Sequence, residues 1–286
     1  DKHWSRGLGD VYKRQYVGLS ESYGESRSAS MLRWQPDSQN VESLGNIMQA
    51  LKQHQLAQPL ASQGKIHSQF VTASDGLVYF TSFDEEGESD TRLPTWGGHL
   101  WRFDPIAKHW EHLLQTPEAL IAINTDGHYV YALGYWGHVL YQFDTLTGRV
   151  NKTEVGAVPG HVSRQILVDG EGHIYVPKLS PAGNEQGFVP MLAELDHNLN
   201  VVHEFALPEY VDKNMSSYRG IVGYTTMKNG DVFFTLHKGQ LFHLRAEGSK
   251  DDKLQKIGFF NPAGEANIPS LFSIDGEQFV MGASRR

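Results

Sequence analysis

The sequence contains no cysteine among its 286 residues, which excludes disulfide bonds and thiolate metal sites. It also lacks any apolar run long enough to span a membrane. Positive charge is scarce, because 25 lysines and arginines stand against 33 acidic residues and give a formal net charge of −8. Since no basic stripe is visible either, we expect no nucleic-acid partner and no membrane span. Proteins of both redox compartments can lack cysteine, so composition leaves the localisation open.

What the sequence does contain is a repeat of roughly forty to sixty residues. Each copy has a short strand, an Asp-Gly or Asn-Gly turn, an apolar strand, and then a strand that ends in an aromatic-Asp pair. The turns lie at Asp75-Gly76, Asp126-Gly127, Asp169-Gly170, Asn229-Gly230 and Asp275-Gly276. A four-stranded unit of this size cannot bury both faces alone, so the copies must pack around an axis. The sequence therefore predicts an all-β fold, a β-propeller of four-stranded blades in an incomplete ring of about six or seven.

The exceptions to this pattern lie between blades and at the ends. Val41 to Gln55 has apolar residues at helical spacing and predicts one short inserted helix. Ser5 to Gln15, SRGLGDVYKRQ, matches one translated reading frame of a transposon adapter used in sequencing libraries, so we expect residues 1–15 to be non-native and to contribute no strand. Residues 16–286 then form a single propeller domain: a partial blade, four full blades and a second partial blade. This organisation predicts an environmental gene fragment of a larger propeller.

Propeller geometry predicts which residues gather at one mouth of the central channel. The first strand of a blade begins at that mouth, the second strand ends there, and the third begins there again. The residues at these positions are His67, Trp96, His99, Tyr135, His138, His161, Arg164, Tyr218, Arg219 and His237. All are His, Arg, Tyr or Trp, and none is a carboxylate. His128 and His173 follow first-strand turns and are expected at the opposite face.

This set of side chains suits an anionic ligand, because His and Arg donate hydrogen bonds to carboxylate or sulfate. It does not suit calcium, which needs several carboxylate or carbonyl oxygens. Several mouth histidines could share a zinc or other divalent metal, although their spacing is not diagnostic, so no cofactor is required and no metal ligand is assigned. A Gly-His pair also orients a hairpin through a backbone hydrogen bond, which explains His99 and His138 equally well. Histidines of outer strands, including His109 and His112, are expected to be solvated.

Four stretches carry a resemblance to a known family: GKIHSQFVTASDGLVYFTS, then GGHLWRFDP, then YWGHVLYQFDTLTG, and GHVSRQILVDGEGHIYVP. They resemble bacterial propeller polysaccharide lyases of the ulvan lyase type and their uncharacterised relatives. The resemblance implies β-elimination on a uronic acid by two histidines, a tyrosine and an arginine. His67 and His99 match the histidines and Arg164 the arginine, while Tyr135 and Tyr218 both match the tyrosine. The long acidic loop before His99 departs from the family pattern.

Elimination requires removal of a proton beside a carboxylate whose charge is neutralised, so that the developing enolate is stabilised. Arg164, helped by His161 or Arg219, is the predicted neutralising group. Tyr135 or His67 is the predicted base, and His99 the acid or a carboxylate partner. The remaining residues, Trp96, His138, His161, Tyr218, Arg219 and His237, are predicted to bind substrate.

Two other function classes remain open. One is a non-catalytic propeller that binds a glycan or a protein through the same mouth. The other is a metal-dependent lactonase-like hydrolase, which needs carboxylates on the channel strands. The predicted partner is an anionic polysaccharide or oligosaccharide bound by a monomer, and the lyase interpretation favours a periplasmic or secreted protein.

Overall fold

The computed structural model describes residues 3–9, 15–21, 27–57, 62–84, 97–135, 137–156, 163–182, 188–210, 220–274 and 279–285. Within these ranges the chain forms β-strands, one α-helix and one short 3-10 helix at Pro208–Tyr210. The chain divides into two compact units, residues 1–135 with 140–151 and residues 136–139 with 152–286. No helix in the described part of the chain is both long and apolar enough to cross a membrane.

The strands of the described ranges form five four-stranded sheets and one two-stranded sheet, each in chain order. The first sheet contains β1 (His3–Gly9), β2 (Gln15–Ser20), β3 (Ser30–Gln35) and β4 (Asn40–Asn46). The second contains β5 (Val71–Thr72), β6 (Val78–Phe83), β7 (Gly98–Asp104) and β8 (His109–Thr116). The third contains β9 (Leu120–Thr125), β10 (Tyr129–Gly134), β11 (Val139–Asp144) and β12 (Val150–Glu154).

The fourth sheet contains β13 (Leu167–Val168), β14 (Ile174–Pro181), β15 (Phe188–Leu195) and β16 (Val201–Ala206). The fifth contains β17 (Ile221–Thr226), β18 (Val232–Leu236), β19 (Gln240–Leu244) and β20 (Leu254–Phe259). The last sheet pairs β21 (Asn267–Ile274) with β22 (Phe279–Arg285). The predicted all-β fold of four-stranded antiparallel sheets is confirmed. In the second to fifth sheets, an Asp-Gly or Asn-Gly turn joins the first two strands.

The first sheet contains a strand that the sequence did not predict. β1 pairs antiparallel with β2, with His3 opposite Ser20 and Gly9 opposite Gln15. The expectation that residues 1–15 contribute no strand is therefore wrong. An open strand edge presents backbone N–H and C=O groups to any extended segment, whatever its side chains, and β1 pairs with these groups. The adapter origin of this segment stays a prediction.

The inserted helix α1 (Ile47–Gln53) is shorter than the predicted Val41 to Gln55. Residues 40–46 instead form β4, because they complete the edge of β3. Asn46 ends the strand and caps the helix, since its side-chain oxygen accepts the Gln49 N–H at 2.8 Å. Here pairing with a neighbouring strand outweighs an amphipathic pattern.

Buried threonines connect neighbouring sheets in the same way in both units. In the first unit, the Thr81 hydroxyl of β6 donates to the Leu120 carbonyl of β9 at 2.7 Å. In the second unit, the Thr235 hydroxyl of β18 donates to the Ile268 carbonyl of β21 at 2.8 Å. Both side chains are fully buried. The repeat is thus visible in tertiary contacts as well as in sequence.

A close backbone approach joins the fourth and fifth sheets. The Gly170 N–H donates to the Gly230 carbonyl at 2.9 Å. A Cβ at position 170 would lie only 2.5 Å from the Gly230 Cα. Glycine is required because any side chain would force the two turns apart.

Candidate functional site

Six of the ten predicted mouth residues lie in described parts of the chain, and each lies at the predicted end of its own sheet. His67, His99 and Tyr135 belong to the first unit, and His138, Arg164 and His237 to the second. Each precedes a first or third strand, begins one, or follows a second strand. Trp96, His161, Tyr218 and Arg219 lie outside the described residues.

His99 is buried inside the second sheet, with 3% of its surface exposed. Its Nδ1 lies 2.9 Å from Nε2 of His112, so one ring donates to the other. Burial, and then the nearby His112, lower the His99 pKa to about 3. Burial also lowers the pKa of His112 to about 4, with His54 as the second cause. The pair is neutral at neutral pH, and His112 is not the solvated outer-strand histidine that the sequence predicted.

His67 is partly exposed on the segment that leads into β5. Two backbone hydrogen bonds between Lys65 and Phe83 hold this segment against the end of β6, at 3.0 and 3.3 Å. The imidazole lies beside the Phe83 ring, with centroids 6.2 Å apart. His67 is therefore positioned by its backbone and by an aromatic contact, and part of its surface reaches solvent.

Two carboxylates lie at this same end of the sheets, although the sequence analysis placed none there. Asp84 directly follows β6, is buried, and accepts a hydrogen bond from the Ser62 hydroxyl. Glu118 precedes β9, and its Oε2 accepts a hydrogen bond from the Tyr141 hydroxyl at 3.3 Å. Burial and the Glu118 charge raise the pKa of Tyr141 above its usual value. The expectation of a mouth without carboxylates is wrong, and the aspartate that follows FTSF was the available signal.

Tyr135 and His138 flank the connection between β10 and β11, but their surroundings differ. The Tyr135 backbone N–H donates to the Ala119 carbonyl at 2.8 Å, and its side chain is partly exposed. His138 is 1% exposed and has a left-handed backbone, with φ of +53°. Its Nε2–H donates to the Pro177 carbonyl at 2.6 Å. Burial lowers the pKa of His138 to about 4 although the Pro177 contact opposes this, so the ring is neutral.

Arg164 is exposed, whereas the residues on both sides of it are buried. Ser163 and Gln165 are 2% and 3% exposed, and the Ser163 hydroxyl donates to the Gln165 carbonyl at 2.6 Å. The buried Tyr210 hydroxyl is also hydrogen-bonded to Ser163. The backbone of Arg164 is thereby fixed by buried neighbours, although Arg164 itself is exposed. His237, by contrast, is 9% exposed in the turn after β18.

The opposite ends of the sheets carry a repeated tyrosine–aspartate contact that the sequence analysis missed. In each of three sheets, a second-strand tyrosine donates its hydroxyl to the turn aspartate. The pairs are Tyr79 with Asp75 at 2.6 Å, Tyr131 with Asp126 at 2.9 Å, and Tyr175 with Asp169 at 2.6 Å. Burial raises the pKa of all three tyrosines, with the aspartates adding to the effect. The signal was a tyrosine four to six residues after the Asp of three of the four Asp-Gly turns.

One of these pairs belongs to a group with metal-ligand chemistry. Ligand atoms of Asp169, His173 and Glu194 lie within 4.8 Å of one another. Lys253 approaches all three, with its Nζ 2.6 Å from Glu194 Oε1, 3.5 Å from Asp169 Oδ2 and 3.4 Å from His173 Nδ1. The ammonium therefore takes the position a metal cation would need. Asp169, Glu194 and Lys253 are each no more than 6% exposed, so the group is a buried ion-pair cluster.

A comparison with solved structures identifies the arrangement of these sheets. The chain is similar to a structure described as the Dos1 propeller, with a TM-score of 0.60 and 10% sequence identity over 98% of this chain. The fold is a β-propeller. The chain spans 64% of the length of that propeller chain. No protein-family model matches the sequence, and no curated protein matches it.

The blades differ in the residue that pairs with the second-strand tyrosine. The third-strand residue opposite the second-strand tyrosine is arginine in two of four blades, glutamine in the third and glutamate in the fourth. These partners are Arg33 opposite Tyr16, Arg102 opposite Tyr79, Gln142 opposite Tyr131 and Glu194 opposite Tyr175. Only in the last of these blades is the partner an acid, and there Lys253 of the next blade supplies the positive charge. The cluster thus joins two neighbouring blades of the second unit.

Proposed function

We propose that this propeller binds an anionic polysaccharide, with Arg164 as the central contact. The observation that carries the proposal is the exposure of Arg164 on a backbone held by buried Ser163, Gln165 and Tyr210. A fixed arginine loses little conformational freedom on binding and pairs with a carboxylate or sulfate through two parallel hydrogen bonds.

The charge states of the other predicted residues favour binding over catalysis. His99 and His138 are buried and have depressed pKa values, so at neutral pH they add no positive charge and are withheld from a ligand. We assign them to positioning the ends of their strands. His67 and Tyr135, which are partly exposed, remain as candidate contacts at the corresponding ends of their own blades.

A uronate lyase acting by β-elimination is the second candidate. The partly exposed His67 and Tyr135, together with the resemblance of their surrounding motifs to ulvan lyase-type propellers, support it. In this reaction Tyr135 or His67 takes the proton next to the uronate carboxylate. The C–O bond to the leaving sugar breaks as the double bond forms, and an acid protonates the leaving oxygen. His99 is poorly suited to be that acid, because it is buried and holds no extra proton at neutral pH.

A metal-dependent lactonase has less support. Among the described residues, the one group with close metal-ligand atoms is Asp169, His173 and Glu194, and Lys253 already neutralises it. The wider proposal is a monomeric propeller that needs no cofactor. A periplasmic or secreted location fits a polysaccharide ligand.

The test is calorimetric titration of the wild-type chain and Arg164→Ala with a glucuronate-containing oligosaccharide. Loss of one charge-assisted contact, worth roughly 1.5–3 kcal/mol, predicts an affinity about 10- to 100-fold lower in the variant. Arg149→Ala is the matched control, because Arg149 is exposed on a turn of the third blade. Equal losses in both variants would contradict the assignment.

The ultraviolet absorbance of the sugar products distinguishes the binding propeller from the lyase. Elimination leaves a double bond conjugated to the uronate carboxylate, and this product absorbs in the ultraviolet, whereas hydrolysis leaves none. Binding without this absorbance supports the binding propeller. Absorbance that depends on Tyr135 and His67 supports the lyase instead.

A further inference from the structure

A pocket of about 390 Å³ lies in the first unit between α1 and the beginning of β8. Its volume falls within the roughly 300–1,000 Å³ typical of small-molecule sites. The pocket is at the opposite end of the second blade from His99, because His109 in its wall pairs with Asp104 at the end of β7, whereas His99 is the second residue of that strand. It is therefore a separate site from the predicted mouth.

One wall of the pocket is a row of side-chain amides. Asn46, Gln49 and Gln53 are spaced three and four residues apart, so they share one face of the helix. Asn46 is held in place because its Oδ1 accepts the Gln49 N–H at 2.8 Å. A side-chain amide offers both donors and an acceptor, which is the chemistry that pairs with hydroxyl groups.

The facing wall contains a fixed indole. Trp110 is 7% exposed, and its Nε1–H donates to the Leu44 carbonyl at 2.8 Å. Gly45 lies over this ring with φ of +113°, and a Cβ there would be 3.7 Å from the indole nitrogen. Because Gly45 has no side chain over these ring atoms, a small part of the buried indole edge lines the pocket beside its amides.

The single lysine of the pocket does not make it an anion site. The Lys108 Nζ lies 2.5 Å from Oε1 of Glu42. Glu42 also pairs with the Arg33 guanidinium, and these contacts lower the pKa of its carboxyl group, the Lys108 hydrogen bond being the largest cause. Glu42 is thus ionised and already pairs with Lys108, so Lys108 does not by itself favour an anionic ligand.

We propose that this pocket binds a short uncharged oligosaccharide. Amides would pair with sugar hydroxyls, and the edge of Trp110 would contact the apolar face of a ring. The site does not depend on Arg164 or on the anionic ligand proposed above.

Calorimetric titration of the full chain with cellotriose, maltotriose and diacetylchitobiose tests this proposal. We expect at least one sugar to bind with millimolar or better affinity. Gln49→Ala with Gln53→Ala should weaken it roughly tenfold, because two net hydrogen bonds are lost. Both glutamines are exposed, so the double variant should keep the wild-type thermal midpoint.

Lys52→Ala on the exposed part of the same helix is the matched control and should bind as wild type does. Arg164→Ala should also leave sugar binding unchanged. Failure of all three sugars to bind wild type would overturn the proposal. Equal affinity in the double variant, or tighter binding of a glucuronate oligosaccharide that Gln49→Ala with Gln53→Ala abolishes, would overturn it as well.

Discussion

Acid should destabilise the protein through His138, and the structure gives the size of the effect. The folded state holds the His138 pKa at about 4, below the ordinary histidine value of 6.5 that applies to the unfolded chain. Between these pH values the unfolded chain binds a proton that the folded chain excludes, so the free energy of unfolding falls as pH falls. A shift of this size corresponds to about 3 kcal/mol in all, lost at up to about 1.4 kcal/mol per pH unit below the unfolded pKa.

The assay is urea unfolding of wild type and His138→Asn across this pH window. Asparagine tolerates the left-handed backbone at this position but does not titrate. At neutral pH the variant should be less stable by about 1–3 kcal/mol, because the Pro177 carbonyl loses its buried donor. The difference between the two proteins should shrink as pH falls, since only wild type loses the histidine contribution.

The control is His109→Asn, because His109 is exposed, and its pH profile should run parallel to that of wild type. Parallel profiles for His138→Asn and wild type would refute the reasoning. Burial also lowers the pKa values of His99 and His112. Both proteins contain these residues, so their effect on the free energy of unfolding cancels in the comparison.

Three further substitutions or deletions test the fold. Lys253→Met should cost about 3–5 kcal/mol of unfolding free energy, because Glu194 and Asp169 would stay buried without a cation, and an unchanged urea midpoint would contradict the cluster. Gly170→Ala should lower the thermal midpoint, because the new Cβ would contact the Gly230 backbone. In the control Gly148→Ala, a Cβ would meet nothing within 4 Å, so the thermal midpoint should fall only by the effect of backbone strain. Deletion of residues 1–14 should lower the midpoint by exposing the β2 edge; an unchanged midpoint would restore the sequence-based expectation that this segment is dispensable.

The strand grouping could be predicted from sequence because its signals are local. Each turn pair is followed by an apolar strand, and alternating apolar residues leave little choice of register. The same information predicted that His67 and His99 lie at one end of their sheet. It could not predict their exposure, because a sequence shows where a strand begins but not which neighbouring ring covers a side chain. His99 faces His112 across β7 and β8, and only the register brings them together.

The missed features depend on contacts between strands or blades. The start of α1 is set by pairing of β4 with β3, and β1 is set by the open edge of β2. Tyr175 and Asp169 are close in sequence, but Lys253 reaches them from the next blade, which no local pattern indicates. Asp84 and Glu118 were missed because they lie one residue after β6 and two residues before β9, and sequence alone does not locate strand ends that closely.

The most direct test of anionic polysaccharide binding is a titration of the wild-type chain with a glucuronate oligosaccharide at low and high salt, alongside its carboxyl-reduced, uncharged analogue. The account predicts that the uronate binds, that its affinity falls as salt rises, and that the analogue binds far more weakly. Equal affinity for the two sugars, or uronate binding that salt does not change, would contradict it.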